Sequence, residues 1–226
     1  MAKAEQRDPD VRFLHGVSYK SYVRLIRHPD NRHTRMAYRN GTLEIVYPIY
    51  FVHERDSNRL NWIITTVARG LNLRYDGTGG ATFHRSGDGP LRGWGKEPDE
   101  SYYFASLDRF PRNRELDLDA GDPPPDLWVE VDHRATLKGR LPVYAALGVP
   151  EVWQYRVNRE KLRFLRLVDG VYQPTERSLS LPILTPTLIR KALALGQGMI
   201  ESEFVEFIGS WVDGLIAHVT SQPRPE

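Results

Sequence analysis

The chain has 226 residues, 40% of them hydrophobic and 27% charged, with a net charge of +2 and a pI near 8.8. That composition supports a single folded domain with a real core, and so mild a basic excess does not by itself imply nucleic acid. The absence of cysteine excludes disulfides and thiolate metal centres, no apolar run reaches the length of a membrane span, and MAKAEQRDPD lacks the apolar stretch of a signal peptide, so a cytoplasmic protein is expected.

Residues 1–12 are expected to form a disordered lead, 13–200 the folded domain, and 201–226 a C-terminal amphipathic helix and tail. In SYKSYVRLIRH the apolar residues Tyr19, Tyr22, Val23 and Ile26 fall at helical spacing behind Ser18, a fitting N-cap. MAYRNGTLEIVYP reads as a hairpin about Asn40-Gly41. In SNRLNWIITTVARGLNL the stripe Leu60, Ile63, Ile64, Val67 and Leu71 marks the main core helix, with Asp56 or Ser57 as its cap. The glycine-rich stretch from Gly77 to Gly95 lacks a GK[ST] motif and reads as a flexible hairpin rather than a phosphate loop. Beyond the proline-stiffened DLDAGDPPP come the strand DLWVEVD, a short helix RLPVYAALGV ended by Gly148, the strands EVWQYRV and KLRFLRLVDGVYQP with a turn at Asp169-Gly170, and the closing helix SEFVEFIGSWVDGLIAHVT. Helices interspersed with strands give a mixed α/β (α+β) domain.

Two acidic strands carry the chemistry. In DLWVEVD, Leu127, Val129 and Val131 point to one face, and Asp126, Trp128, Glu130 and Asp132 to the other. A solvated edge strand would look the same. The flanking proline loop and helix instead suggest a central strand, where carboxylates are costly unless paired or metal-bound. In EPDESYYF, Asp99 and Ser101 share a face opposite Glu100 and Tyr102. If Asp99 meets the Glu130 face across the sheet, three carboxylates converge and repel unless a divalent cation lies among them. An all-oxygen site favours Mg²⁺ or Mn²⁺, and such a site best serves hydrolysis of a phosphodiester bond.

Pro98-Asp99 followed by Glu130-Val131-Asp132 resembles the metal-binding signature of the PD-(D/E)XK nuclease superfamily. The segments RMAYRNGTLEIVYP, HER, GGATFHR, EPDESYYF, DPPPDLWVEVD and RLPVYAALGVPEVWQY follow one another as in the Uma-type restriction endonuclease family, over about two-thirds of the chain from Tyr19 to Val171. The resemblance implies a restriction-endonuclease-like mixed sheet flanked by helices over residues 13–200, a divalent metal and often a homodimer acting on DNA. Carried over, Asp99 and Glu130 match the metal carboxylates, and the Val131 carbonyl a third ligand. The superfamily pattern places a lysine two residues after Glu130, where this chain has Asp132. Family members often supply one instead on the next helix, at the position of Arg140, with Lys138 the nearest lysine here. Arginine can stabilise an oxyanion but cannot readily accept a proton. Members also carry Tyr-Glu where this chain has Met36-Ala37, and Glu44 on the second hairpin strand could compensate.

His53 and Glu54 match the family's helix-preceding histidine segment; they touch the site, or they form a polar cluster at the start of the helix. Arg85 reads as a nucleic-acid contact or a salt-bridge partner, and Trp128 as a wall of the site or as core. Three functions follow: a Mg²⁺-dependent DNA endonuclease; a catalytically inert nuclease-fold protein, suggested by Asp132 and Arg140; or a structural homodimer joined through Phe204, Phe207, Ile208, Trp211 and Leu215 of the last helix.

Overall fold

A computed structural model describes residues 11–31, 34–46, 51–132 and 140–221, for 51–54 the backbone alone. Eleven strands and five helices lie within them, in two sheets.

The first sheet is antiparallel. It holds β1 (Val11–His15), β2 (Arg35–Arg39), β3 (Thr42–Val46), β5 (Phe83–Ser86) and β6 (Gly93–Lys96) in the order β1-β3-β2-β6-β5. Val11 and Arg12, expected in the disordered lead, instead pair with β3. The turn at Asn40 (φ 44°) and Gly41 (φ 86°) takes the left-handed conformation that a two-residue hairpin requires. Helix α1 (Tyr19–Ile26) starts on Ser18, whose Oγ accepts from Ser21 N–H at 3.1 Å. It lays Tyr22 against Met36, Tyr38 and Leu43 on one face of the sheet. The glycine at 95 in β6 is required by this packing, since a Cβ there would stand 2.1 Å from the Tyr22 hydroxyl oxygen.

The second sheet is the mixed one that the resemblance implies. It adds β4 (Asp76–Gly77), β7 (Glu100–Tyr103), β8 (Leu127–Asp132), β9 (Glu151–Arg156), β10 (Lys161–Val168) and β11 (Val171–Thr175), ordered β11-β10-β9-β8-β7-β4. Only β8 and β9 run parallel, joined by the crossover helix α3 (Leu141–Leu147), which Gly148 ends at φ 82°.

Helices cover both faces of this sheet. Leu127, Val129 and Val131 pack against Leu60, Ile63, Ile64 and Val67 of α2 (Phe51–Gly70), together with Ile189 of α4 (Pro186–Leu195) and Phe204, Ile208 and Val212 of α5 (Glu201–Ser221). Trp128 and Val152 turn the other way, against Val143, Tyr144 and Leu147 of α3 and Phe83 of the first sheet. The alternation read along β8 is thus realised, and Trp128 is core, fully buried between Phe83 and Tyr144.

Two elements differ from expectation. Helix α2 begins at Phe51, so Asp56 and Ser57 lie inside it and cap nothing; after Pro48 no proline or glycine interrupts the chain until Gly70. Helix α4 was not anticipated, although Thr185 caps it, its Oγ1 accepting from Leu188 N–H at 3.1 Å, and Pro186 fills its first turn.

Candidate active site

The seam between the two sheets gathers the charged residues. The chain leaves the first sheet at Lys96 and enters the second at Glu100, so Glu97, Pro98 and Asp99 bridge them. β7 and β8 pair antiparallel with Glu100 opposite Val129, a register that carries Asp99 alongside Glu130. Asp99 N–H donates to Val129 O at 3.1 Å, and Val131 N–H donates to Asp99 Oδ2 at 2.6 Å. Asp99 is therefore locked to β8 next to Glu130, and the Val131 carbonyl lies on the same edge of the strand as the amide that holds it. Asp132 falls on the Glu130 face, buried, two residues on.

The first sheet presents a row of its own. Ala37 of β2 stands opposite both Glu44 of β3 and Lys96 of β6, so these side chains share a face, with Arg35 two residues along. Arg35 ion-pairs with Asp99 Oδ1. Lys96 Nζ lies 3.5 Å from Glu130 Oε2 and also donates to the Glu97 carbonyl. Arg140, at the start of α3, donates to Glu44 Oε1. Glu44 thus stands directly across from Ala37.

Buried charges cost several kcal/mol each unless paired, and Asp99, Glu130, Asp132 and Lys96 are at most 8% exposed. Arg35, Lys96 and Arg140 meet Asp99, Glu130 and Glu44 respectively, so three of the carboxylates in the seam face the protein's own cations. Burial lowers the Lys96 pKa, with Glu130 opposing. Burial also pushes Arg140 down, but the charge and hydrogen bond of Glu44 outweigh it and the net shift is upward, so Arg140 stays protonated. Burial and the Glu130 charge raise Tyr144, leaving its hydroxyl protonated beside that carboxylate.

Among the described residues no three His, Asp or Glu side chains gather closely enough to hold a metal by themselves. Glu130 Oε1 is nevertheless buried without a hydrogen bond. An orphaned carboxylate oxygen beside a second carboxylate fits a hard cation that takes the rest of its shell from water or phosphate, as Mg²⁺ does. Asp99 and Glu130 are the residues that would hold it.

Of the other sequence candidates, Lys138 lies outside the described residues, as do the side chains of His53 and Glu54, which fall in the first turn of α2. Arg85 donates to the Ala146 carbonyl at 3.2 Å, tying the first sheet to the end of α3. Sequence reasoning missed Lys96 and Arg35. For Lys96 the available signal was position alone, three residues before Asp99 on the segment that must deliver it. Arg35 carries no local mark.

The model of the Uma2 family, described as "Putative restriction endonuclease", matches residues 19–195. No curated protein matches the chain. Among solved structures, one described as a "putative nuclease belonging to DUF820" from Anabaena variabilis is 14% identical with a TM-score of 0.50, over 87% of this chain and 99% of that one. At that identity the likeness is one of fold.

Proposed function

The chain belongs to the Uma2 family, and from that premise we propose that it is a Mg²⁺-dependent endonuclease that hydrolyses DNA phosphodiester bonds, working in the cytoplasm as a homodimer. The observation that carries this reading is the Asp99 carboxylate fastened beside Glu130, whose Oε1 is buried and without a hydrogen bond. A divalent cation, when bound, polarises the phosphoryl oxygen and lowers the pKa of a ligated water.

The chain's residues supply the rest. Asp99 and Glu130 hold the cation with the Val131 carbonyl, and Asp132 orients the shell from the same face. Arg140, permanently charged and anchored by Glu44, stabilises negative charge developing on the phosphate oxygens and does not serve as a base. Lys138, two residues before Arg140 in the sequence, is the other candidate for that charge.

The test is nicking of supercoiled plasmid by the purified protein with Mg²⁺ or Mn²⁺, alongside Asp99→Ala and Glu130→Ala. Each substitution is expected to lower the rate by at least about a hundredfold. Activity that survives both removes these carboxylates from the reaction.

A second reading, an inert nuclease-fold protein that binds nucleic acid, is favoured by the pairing of Asp99, Glu130 and Glu44 with arginine and lysine and by Asp132 at the lysine position. Calorimetry separates the two, since failure to bind Mg²⁺ or Mn²⁺ at millimolar concentration selects the inert form.

A further inference from the structure

Lys96 is the one buried lysine among the described residues, and it has a geometrical relation to Glu130 that no local sequence pattern announces. Its ammonium reaches across from β6 to Oε2 of Glu130 at 3.5 Å, while Oε1 of the same carboxylate makes no hydrogen bond. The two oxygens are therefore distinguished, one paired with the protein's own cation and the other buried without a hydrogen bond. The backbone around this contact is fixed, because Glu97 O accepts from the same Nζ and Asp99, three residues on, is tied to β8. On β8 itself, the residue two places after Glu130 on the same face is Asp132, which carries the opposite charge to a lysine.

We propose that Lys96 is the positioning residue for Glu130. From the neighbouring sheet it holds Oε2, so that Oε1 is presented to the cation. It also brings to the site the single positive charge that position 132 lacks. The part of this inference that concerns turnover rests on the nuclease reading; the part that concerns the cation does not.

The two roles predict opposite movements of two measurements. In Lys96→Met, a positive charge 3.5 Å from a ligand is gone, so Mn²⁺ measured by calorimetry should bind several-fold tighter. Plasmid nicking should nevertheless slow by at least about a hundredfold, because Glu130 is no longer held and the site has lost a cation. Lys96→Arg should recover part of the nicking. Because Lys96→Met leaves a buried carboxylate without its partner, thermal unfolding is followed in parallel. The double variant Lys96→Met with Asp132→Lys returns an ammonium from β8, and it should fold and nick faster than the single variant.

The inference is overturned if Lys96→Met nicks within about threefold of the wild type, or if its Mn²⁺ affinity falls together with its melting temperature, the mark of a purely structural residue. Failure of the double variant to nick faster than the single one also overturns it, as does a wild type that binds no Mn²⁺. A wild type that binds Mn²⁺ but never nicks removes the nuclease reading, and tighter binding in Lys96→Met then leaves only the charge of Lys96 beside Glu130 standing, with its positioning role overturned.

Discussion

Asp99 and Asp126 both follow a proline and both open onto a strand, yet their carboxylates do different work. Asp99 reaches across to Val131 N–H and Arg35 in the seam. Asp126 closes a turn: its Oδ2 accepts from Phe104 N–H at 2.7 Å, Ser106 N–H at 2.9 Å and Ser106 Oγ at 2.8 Å. Replacing Asp126 by alanine strands two backbone donors, so Asp126→Ala should lose about 1 to 3 kcal/mol in urea unfolding while Mn²⁺ affinity stays that of the wild type. A change in affinity without a change in stability would move Asp126 into the site. At this scale the sequence set the two apart by motif, Asp99 as a metal-ligand candidate and Asp126 as strand entry, and the surrounding donors are what give Asp126 its role.

The stretch GVPEVW, part of the family resemblance, holds elements together. Gly148 ends α3 in the left-handed conformation, Val149 is buried, and Glu151 opens β9 with no exposure at all. Glu151 Oε1 accepts from Trp153 Nε1 at 2.8 Å and Oε2 from Ser180 N–H at 2.9 Å, pinning the segment before α4 to the central sheet. Glu151→Ala should therefore cost about 2 to 4 kcal/mol, read as a lowered urea midpoint, because it orphans a buried donor and a half-buried one at once. An unchanged midpoint would mean that these donors find other partners. Helix α5 is likewise part of the core: Phe204, Ile208 and Val212 are buried against α2, and Phe207, Trp211 and Leu215 pack partly on the same cluster. The amphipathic face considered as a dimer surface is thus spent largely inside the chain.

Taken whole, the molecule is two sheets joined at a charged seam, with α1 covering one side of the smaller sheet. His84 of β5 and Tyr19 of α1 tie that cover down, the tyrosine hydroxyl lying 2.7 Å from Nδ1. Burial holds the His84 pKa below its ordinary 6.5, with Arg27 adding to the effect against Asp119 and Asp117. Below pH 6.5 the unfolded chain takes up a proton that the folded chain refuses, so stability falls as pH drops from 6.5 toward the lower folded value. Because this group exchanges at most one proton, the slope stays under about 1.4 kcal/mol per pH unit. His84→Gln should flatten the dependence of urea stability on pH across that window, and an identical slope in the two proteins would exclude His84 as its source.

What the sequence determined by itself was local: the cap and stripe of α1, the Asn40-Gly41 turn, the Gly148 stop and the two faces of β8, each a matter of spacing over a few residues. It also held the motif order that marks the family. What only the tertiary structure decided was which charges meet. Arg35 and Asp99 are 64 residues apart in the chain, and Glu44 and Arg140 are 96 apart. Lys96 answers Glu130 from a different sheet. A periodic pattern fixes the face a side chain takes on its own strand, but the partner it finds there depends on how separate sheets close on one another, and no window of sequence contains that.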